Sequence, residues 1–454
     1  MMDYRTIYRN FVLPLQCAVR RRSTLRWYEL GLRQQRMTPD ELAILQRQKL
    51  AALVQHCSKH VPYYRDLFRE RGLNGKQVEH LETLRAAQIR ISKKDVRAAG
   101  DAMLSETSDK RRLFQMATGG STGVPGFFYK SLDTTCRRQA IKYRAEEWIG
   151  KPIGTPTTLI WGRLPSRKRY VRAGRFVYWW YQNYQFLSAF DIGPQQLADY
   201  IRRINRFGPE FIESYVTAIH QFARFLSAQK IPPPPSLRGV VVGAEQLVDE
   251  QRRAIERSFG CPVYNRYGST EFTNIASECS HRRGLHVNSD HILVEVLDET
   301  GQPVVDQVGE IVVTDLDSFD MPLVRYYIGD RGILSSEKCP CGLPFPMLSS
   351  INGRVSDRLI LPTGREIHDT FLVHALMRIP GVQRFQVVQK SLDLVHVNLE
   401  LDPGAAQDRI VADVQKALLE LSEYRMHVVV NFVDRIPLTV MGKLRYFISE
   451  VAAA

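Results

Sequence analysis

Apolar residues recur at helical spacing from Leu42 through Leu45, Leu50 and Leu53 to Val54, directly behind the run Thr38-Pro39-Asp40-Glu41. Thr38 is a natural N-cap, proline suits the first helical position and Glu41 closes a capping box, so a helix is expected to start there. A second helix is predicted from Ile212 to Gln229, stopped by Ile231-Pro232-Pro233-Pro234-Pro235, a stiff connector into a strand. The pattern then changes. Val240-Val241-Val242 reads as a short buried strand, Gly243-Ala244-Glu245 as a turn, Arg252 to Phe259 as a helix and Pro262-Val263-Tyr264 as a second strand. That order is a strand-helix-strand unit of a parallel sheet. Ligands of such sheets bind at the carboxyl ends of the strands, where Gly243-Ala244-Glu245 and Tyr267-Gly268-Ser269-Thr270-Glu271 both fall.

Beyond residue 290 strands alternate, His291 to Leu297 and Glu310 to Thr314, with a turn at Asp298-Glu299-Thr300-Gly301, which predicts an antiparallel meander. After Arg354 comes a smaller unit with a helix near Thr370 to Arg378, strands Phe385 to Gln389 and Val395 to Leu401, a helix Ala405 to Leu421 and a strand His427 to Phe432. The expected fold is therefore α/β. A large N-terminal domain carries mixed or parallel sheets flanked by helices and the meander, and a small mobile C-terminal α+β domain follows. The boundaries expected are a basic segment over 1–37, the large domain over 38–354 and the small one over 355–454. No internal repeat is visible.

Composition narrows the function classes. Of the 454 residues 44% are hydrophobic and 24% charged, ordinary for a globular protein, and no apolar run is long enough to span a bilayer. The apolar patch Phe11-Val12-Leu13-Pro14-Leu15 is followed by Arg20-Arg21-Arg22 and not by a cleavage site, so a cytoplasmic location is expected. Seven cysteines without regular spacing make no disulfide framework. The formal charge of +14 suits nucleic acid, an anionic membrane surface, or anionic substrates such as ATP and coenzyme A. The arginines are dispersed, with clusters at Arg20 to Arg22 and Arg163 to Arg169. No nucleic-acid-binding signature accompanies them, so nucleic acid is not expected as a partner. The basic N-terminal segment is left with weak contact to a membrane surface, and the oligomeric state is not legible.

One stretch carries chemistry by itself. Ala117-Thr118-Gly119-Gly120-Ser121-Thr122-Gly123-Val124-Pro125 offers backbone N–H groups and hydroxyls to an anion. It lacks the Gly-Lys-Ser/Thr ending of a P-loop, which removes a kinase or GTPase reading. In chain order it is followed by Gly243-Ala244-Glu245, Tyr267 to Glu271, Tyr327-Ile328-Gly329-Asp330, Gly353-Arg354-Val355-Ser356-Asp357 and Pro437 to Arg445 with Gly442-Lys443 inside. From about residue 40 to 450, order and spacing resemble the adenylate-forming superfamily of acyl-CoA synthetases and ligases. More narrowly, they resemble its branch of phenylacetate-CoA ligases and capsular-polysaccharide proteins.

The resemblance implies ATP-dependent activation of a carboxylic acid as its acyl-adenylate, with pyrophosphate released and the acyl group passed to coenzyme A. Its alternatives are a non-CoA acceptor, as in an amide ligase or adenylyltransferase, or a non-catalytic partner in exopolysaccharide biosynthesis. It assigns Thr118, Gly119, Gly120, Ser121, Thr122 and Gly123 to the β- and γ-phosphates, with Val124 where relatives usually have lysine. Glu271 becomes the Mg²⁺ carboxylate, and Tyr267 lies against adenine in a pocket with Gly243, Ala244, Glu245, Gly268 and Thr270. Asp330 binds the ribose hydroxyls with Arg354 as its partner, Ser356 and Asp357 form the hinge, and Lys443 carries the first step. Phe176 to Tyr181 supply aromatics either to the acyl pocket or to the core.

A metal site lies outside that chemistry. Cys279, His286, Cys339 and Cys341 have the ligand types and spacing of a closed structural Zn²⁺ site, with His281 a competing ligand. The other reading is three unlinked buried thiols. A zinc there ties the loop after Glu271 to the loop after Asp330.

Overall fold

The computed structural model of the protein describes residues 4–73, 80–117, 127–162, 181–190, 192–354, 358–402, 404–439 and 444–451. The glycine run from Thr118 to Pro125, the aromatics 176–180, Ser356, Asp357 and Lys443 lie outside the described residues.

The first expected helix forms as Pro39–His60. Glu41 accepts from the Thr38 N–H at 2.7 Å and the Thr38 hydroxyl accepts from the Glu41 N–H at 3.3 Å, which completes the capping box. Leu42, Leu50, Leu53 and Val54 are buried on its inner face. Two short strands, β1 (Phe114–Ala117) and β2 (Phe127–Lys130), pair antiparallel, and the glycine run falls between them in sequence.

An eleven-stranded mixed sheet forms the centre. Its parallel half contains β3 (Thr157–Trp161), β4 (Tyr184–Ser188), β5 (Phe211–Ser214), β6 (Gly239–Gly243) and β7 (Val263–Tyr267). The remainder is antiparallel, through β8 (Ala276–Glu278), β9 (Leu285–Val287), β10 (Ile292–Leu297), β11 (Val308–Asp315), β12 (Tyr326–Ser335) and β13 (Met347–Arg354). The strand order is β10-β11-β12-β13-β9-β8-β7-β6-β5-β3-β4. The expected strand-helix-strand unit is present as β6, the helix Asp249–Phe259 and β7. The meander is present too, and it continues the same sheet.

One prediction fails. The helix expected to begin at Ile212 begins at Val216, because Phe211–Ser214 is β5, buried at every position between β3 and β6. A short apolar run gives no periodicity that separates a buried strand from a helix, and here the neighbouring strands decide.

A helix without an apolar stripe, Leu132–Glu147, is buried against the sheet. Arg137 and Arg138 both reach Asp315 of β11, at 3.1 and 3.3 Å. Lys142 reaches Glu213 of β5 at 3.0 Å, and Arg144 pairs with Asp290 while donating to Asn288 at 2.9 Å. Glu147 accepts from the Tyr28 hydroxyl, which links the N-terminal helices to the same element.

The smaller C-terminal domain begins with the hairpin β14 (Arg358–Ile360) and β15 (Glu366–His368). A four-stranded sheet follows in the order β18-β17-β16-β19, from β16 (Val382–Ser391), β17 (Leu394–Leu401), β18 (His427–Phe432) and β19 (Phe447–Ser449). The helices Asp369–Met377 and Gln407–Leu421 accompany it. Its core, with Phe385, Val397, Leu399 and Val414, also takes in Val248 from the large domain. Arg224 of the helix Val216–Ala228 pairs with Asp402 and donates to the Val382 carbonyl at 3.1 Å, so charge as well as apolar contact joins the two parts.

Arg144→Ala leaves Asp290 buried without its cation and is expected to cost about 3–5 kcal/mol in chemical denaturation. Thr38→Ala removes only a cap and should cost about 1 kcal/mol.

Candidate functional site

At the carboxyl end of β6 a Cβ on Gly243 would stand 2.9 Å from the Arg266 carbonyl, so β6 and β7 run too close there for a larger residue. Ala244 turns the chain at φ +67°, and Glu245 accepts from the Thr217 N–H at 2.8 Å and from its hydroxyl at 2.9 Å. Glu245 therefore also holds the first turn of the helix Val216–Ala228.

The chain leaving β7 makes a tighter turn. A Cβ on Gly268 would lie 1.9 Å from the Thr273 carbonyl oxygen, a distance only glycine allows. The turn closes with Thr273 N–H donating to the Ser269 carbonyl at 2.7 Å, leaving Thr270 exposed and Glu271 buried. The Tyr326 hydroxyl donates to Glu271 at 3.2 Å.

Tyr267 and Asp330 come from strands four ladder steps apart in the sheet order, β7 and β12. In a flat sheet that is roughly 19 Å at ~4.8 Å per step. Yet the Tyr267 hydroxyl donates to Asp330 at 2.7 Å, so the sheet curls and its two halves meet across the strand ends. Burial first, then the Asp330 carboxylate, raise the Tyr267 pKa well above the tyrosine range, which keeps the phenol a donor. Arg354, at the end of β13, stands 3.6 Å from the other Asp330 oxygen and is half exposed.

Arg138 and Lys93 near these carboxylates, and Lys130 near Arg138, carry no mark in the sequence. Arg138 lines a gap of about 10 Å³ together with Glu271 and Phe128. Its Nε and Nη1 are buried and have no hydrogen-bond partner among the described residues. Burial lowers the Lys93 pKa, Glu271 raises it and Arg354 lowers it, so this ammonium lies in the field of both. Lys130, at the end of β2 just beyond the glycine run, is pulled down to about 8 by burial and then by Arg138. Nothing in a helix as polar as Leu132–Glu147 marks Arg138 from its neighbours, and Lys93 reads only as the first residue after a cap. A larger cavity of about 340 Å³ lies elsewhere, between the helix Val216–Ala228 and the small domain, lined by His220, Arg224, Arg384 and Tyr446.

Cys279, just after β8, His286 in β9, and Cys339 and Cys341 between β12 and β13 bring their ligand atoms within 4.8 Å of one another. His286 Nδ1 faces the Phe345 carbonyl at 3.1 Å, which leaves Nε2 toward the thiols, 3.3 Å from Cys341 Sγ. Cys279 and Cys339 sulfurs are 3.6 Å apart, too far for a disulfide. Trp148 and Phe345 pack beside the cluster. His281 is exposed and outside it. Cys17, Cys57, Cys136 and Cys261 are buried and free.

Two protein families match the chain, AMP-binding enzyme over residues 185–316 and the CapK C-terminal domain over 359–450. Protein CapK of Staphylococcus aureus is 26% identical across 98% of this chain and 97% of its own. A phenylacetate-coenzyme A ligase of Thermus thermophilus is 27% identical across 80% of this chain and 82% of its own. The chain belongs to the adenylate-forming superfamily. Solved structures share the fold. 2-Hydroxyisobutyryl-CoA ligase in the postadenylation state, in complex with R3-HIB-AMP, superposes with a TM-score of 0.72 over 89% of each chain at 20% identity. The same ligase with 2-HIB-AMP and CoA in its thioesterification state gives 0.63 over 92% of this chain and 91% of that one, also at 20% identity. Among the described residues of this adenylate-forming chain, no helix is long and apolar enough to cross a membrane.

Proposed function

We propose that the protein joins a carboxylic acid to the α-phosphorus of ATP, releases pyrophosphate, and passes the acyl group from the adenylate to coenzyme A. The observation that carries this reading is the meeting of Tyr267 and Asp330 at the strand ends, with buried Glu271 beside Arg138. It puts two carboxylates and several cations on one cleft. Adenylation brings two anions together, so fixed positive charge is the main requirement. Asp330 would accept hydrogen bonds from the ribose hydroxyls with Arg354 steadying it, and Glu271 would offer a carboxylate oxygen to Mg²⁺. The charge of a cation held by Glu271 would offset that of the phosphates. Tyr267, Gly268, Thr270, Gly243, Ala244 and Glu245 surround the base. The run Thr118 to Gly123 takes the β- and γ-phosphates, and Arg138 and Lys130 supply charge that Val124 does not. Lys443 closes the site for the first step.

A second reading keeps the adenylate and changes the acceptor. It goes with the relative that spans nearly the whole chain, Protein CapK, and with the CapK C-terminal domain that matches the small domain.

The cysteine and histidine cluster holds a structural zinc in this proposal. Three thiols and one imidazole, with Nδ1 occupied by a carbonyl, fit a closed tetrahedral site. Purified protein should carry about one zinc per chain, and the paired Cys339→Ser and Cys341→Ser variant should lose it. Zinc near zero after metal-replete expression overturns the assignment.

Acid-dependent exchange of pyrophosphate into ATP, measured over aromatic, fatty and amino acids, tests the reaction. Lys443→Ala should lower the rate about 100-fold or more. Arg138→Gln should raise KM for ATP about ten-fold with little change for the acid, and Arg138→Lys should recover part of the loss. No exchange with any acid contradicts the proposal.

A further inference from the structure

The N-terminal helix is apolar on two faces. Residues Tyr4–Ile7, Tyr8–Val12 and Leu13–Val19 form one nearly continuous helical rod whose middle part is a π-turn. Pro14 explains the irregularity, because its ring and missing N–H break the regular hydrogen bond to the preceding turn. One face packs inward, where Tyr8, Leu13 and Cys17 are buried with Tyr28, Ala140, Tyr143 and Ile153. The rod is therefore held in a fixed orientation.

Its other face carries Ile7, Phe11, Leu15 and Val19, spaced by four residues and exposed by 37, 61, 66 and 74%. In a regular helix that spacing drifts around the axis by roughly 40° per step. The wider π-turn gives back part of the drift and keeps the four side chains in one stripe, about 18 Å long at ~1.5 Å per residue. Fifteen large apolar side chains are exposed among the described residues, and five of them, Tyr4, Ile7, Phe11, Leu15 and Val19, lie on this short rod. An apolar stripe of this kind on a folded surface marks an interaction face.

Charge selects the occupant. Residues 4–36 hold eight arginines, Arg5, Arg9, Arg20, Arg21, Arg22, Arg26, Arg33 and Arg36, and one acid, Glu29. That is a net +7, half of the +14 of the whole chain. Arg20 and Arg21 follow the stripe directly and are exposed. A two-fold interface between two copies would bring this basic segment against itself. An anionic lipid surface pairs with the arginines and receives the apolar side chains at once.

We propose that residues 4–36 dock the protein on anionic membrane surfaces, with Ile7, Phe11, Leu15 and Val19 entering the headgroup boundary and the arginines binding lipid phosphates. The docking is peripheral.

Sedimentation of the full chain with vesicles of phosphatidylglycerol and phosphatidylcholine, against phosphatidylcholine alone, reads this directly. The parent should sediment with the anionic vesicles and be released by high salt. The triple variant Phe11→Ser, Leu15→Ser, Val19→Ser should bind at least about ten-fold more weakly. Arg20→Ser with Arg21→Ser should weaken binding roughly 25-fold, about five-fold per arginine. All these positions are exposed, so an unchanged melting temperature verifies that the fold is intact. The proposal is overturned if the parent stays in solution with anionic vesicles, or if the triple variant binds as well as the parent. It is equally overturned if the parent is an oligomer that the triple variant splits, since the stripe is then a protein contact.

Discussion

Buried ion pairs along the helix Leu132–Glu147 hold the large domain in its shape. Taking an arginine out of water costs several kcal/mol unless an acid and further acceptors meet it, so each pair admits few geometries. Arg137 and Arg138 meet Asp315 in the antiparallel half, Lys142 meets Glu213 in the parallel half, and Arg144 meets Asp290 and Asn288 in the segment between β9 and β10. The helix thus fixes how the two halves of the sheet stand to each other. An apolar helix would pack in many registers of similar energy. A charged one is far more restricted.

The cleft follows from that restraint. Where the sheet curls, Tyr267 from one half reaches Asp330 from the other, and Glu271 is carried inward by a turn that only glycine at 268 permits. Arg138 belongs both to the structural pairs and to the cleft, since one nitrogen serves Asp315 while two others have no hydrogen-bond partner among the described residues and the side chain lines the same gap as Glu271. Such preorganised charge is what a reaction between two anions uses, because no reorientation is needed when they meet. The small domain closes on the same large domain through Arg224, Asp402 and Val248.

Local rules were readable where local chemistry decides the structure. The capping box at Thr38 and Glu41, the strand-helix-strand unit around Asp249–Phe259 and the hairpins beyond residue 290 are set by short-range pattern, and all are present. The four ligand atoms of the cysteine and histidine cluster were also named from spacing, and the fold gathers them. β5 carries no local signal because its partners, β3 and β6, come from elsewhere in the chain. The helix Leu132–Glu147 gave no apolar period, since ion pairing and not apolar area buries it. Arg138 and Lys93 had no signal for the same reason, as their acids lie far away in sequence. The exposed stripe at the N-terminus needed the structure to show which of two apolar faces is covered.

The central claim is that the cleft activates an acid by attack of its carboxylate on the α-phosphorus. An acid that supports exchange, labelled with ¹⁸O in both carboxylate oxygens, tests it most directly when the products are read by mass spectrometry. Attack at the α-phosphorus makes one labelled oxygen the bridge of the adenylate, and acyl transfer breaks the carbonyl carbon's bond to that bridge. AMP should therefore leave with one ¹⁸O and pyrophosphate with none. Label in inorganic phosphate with ADP as the co-product, or unlabelled AMP, would contradict the account.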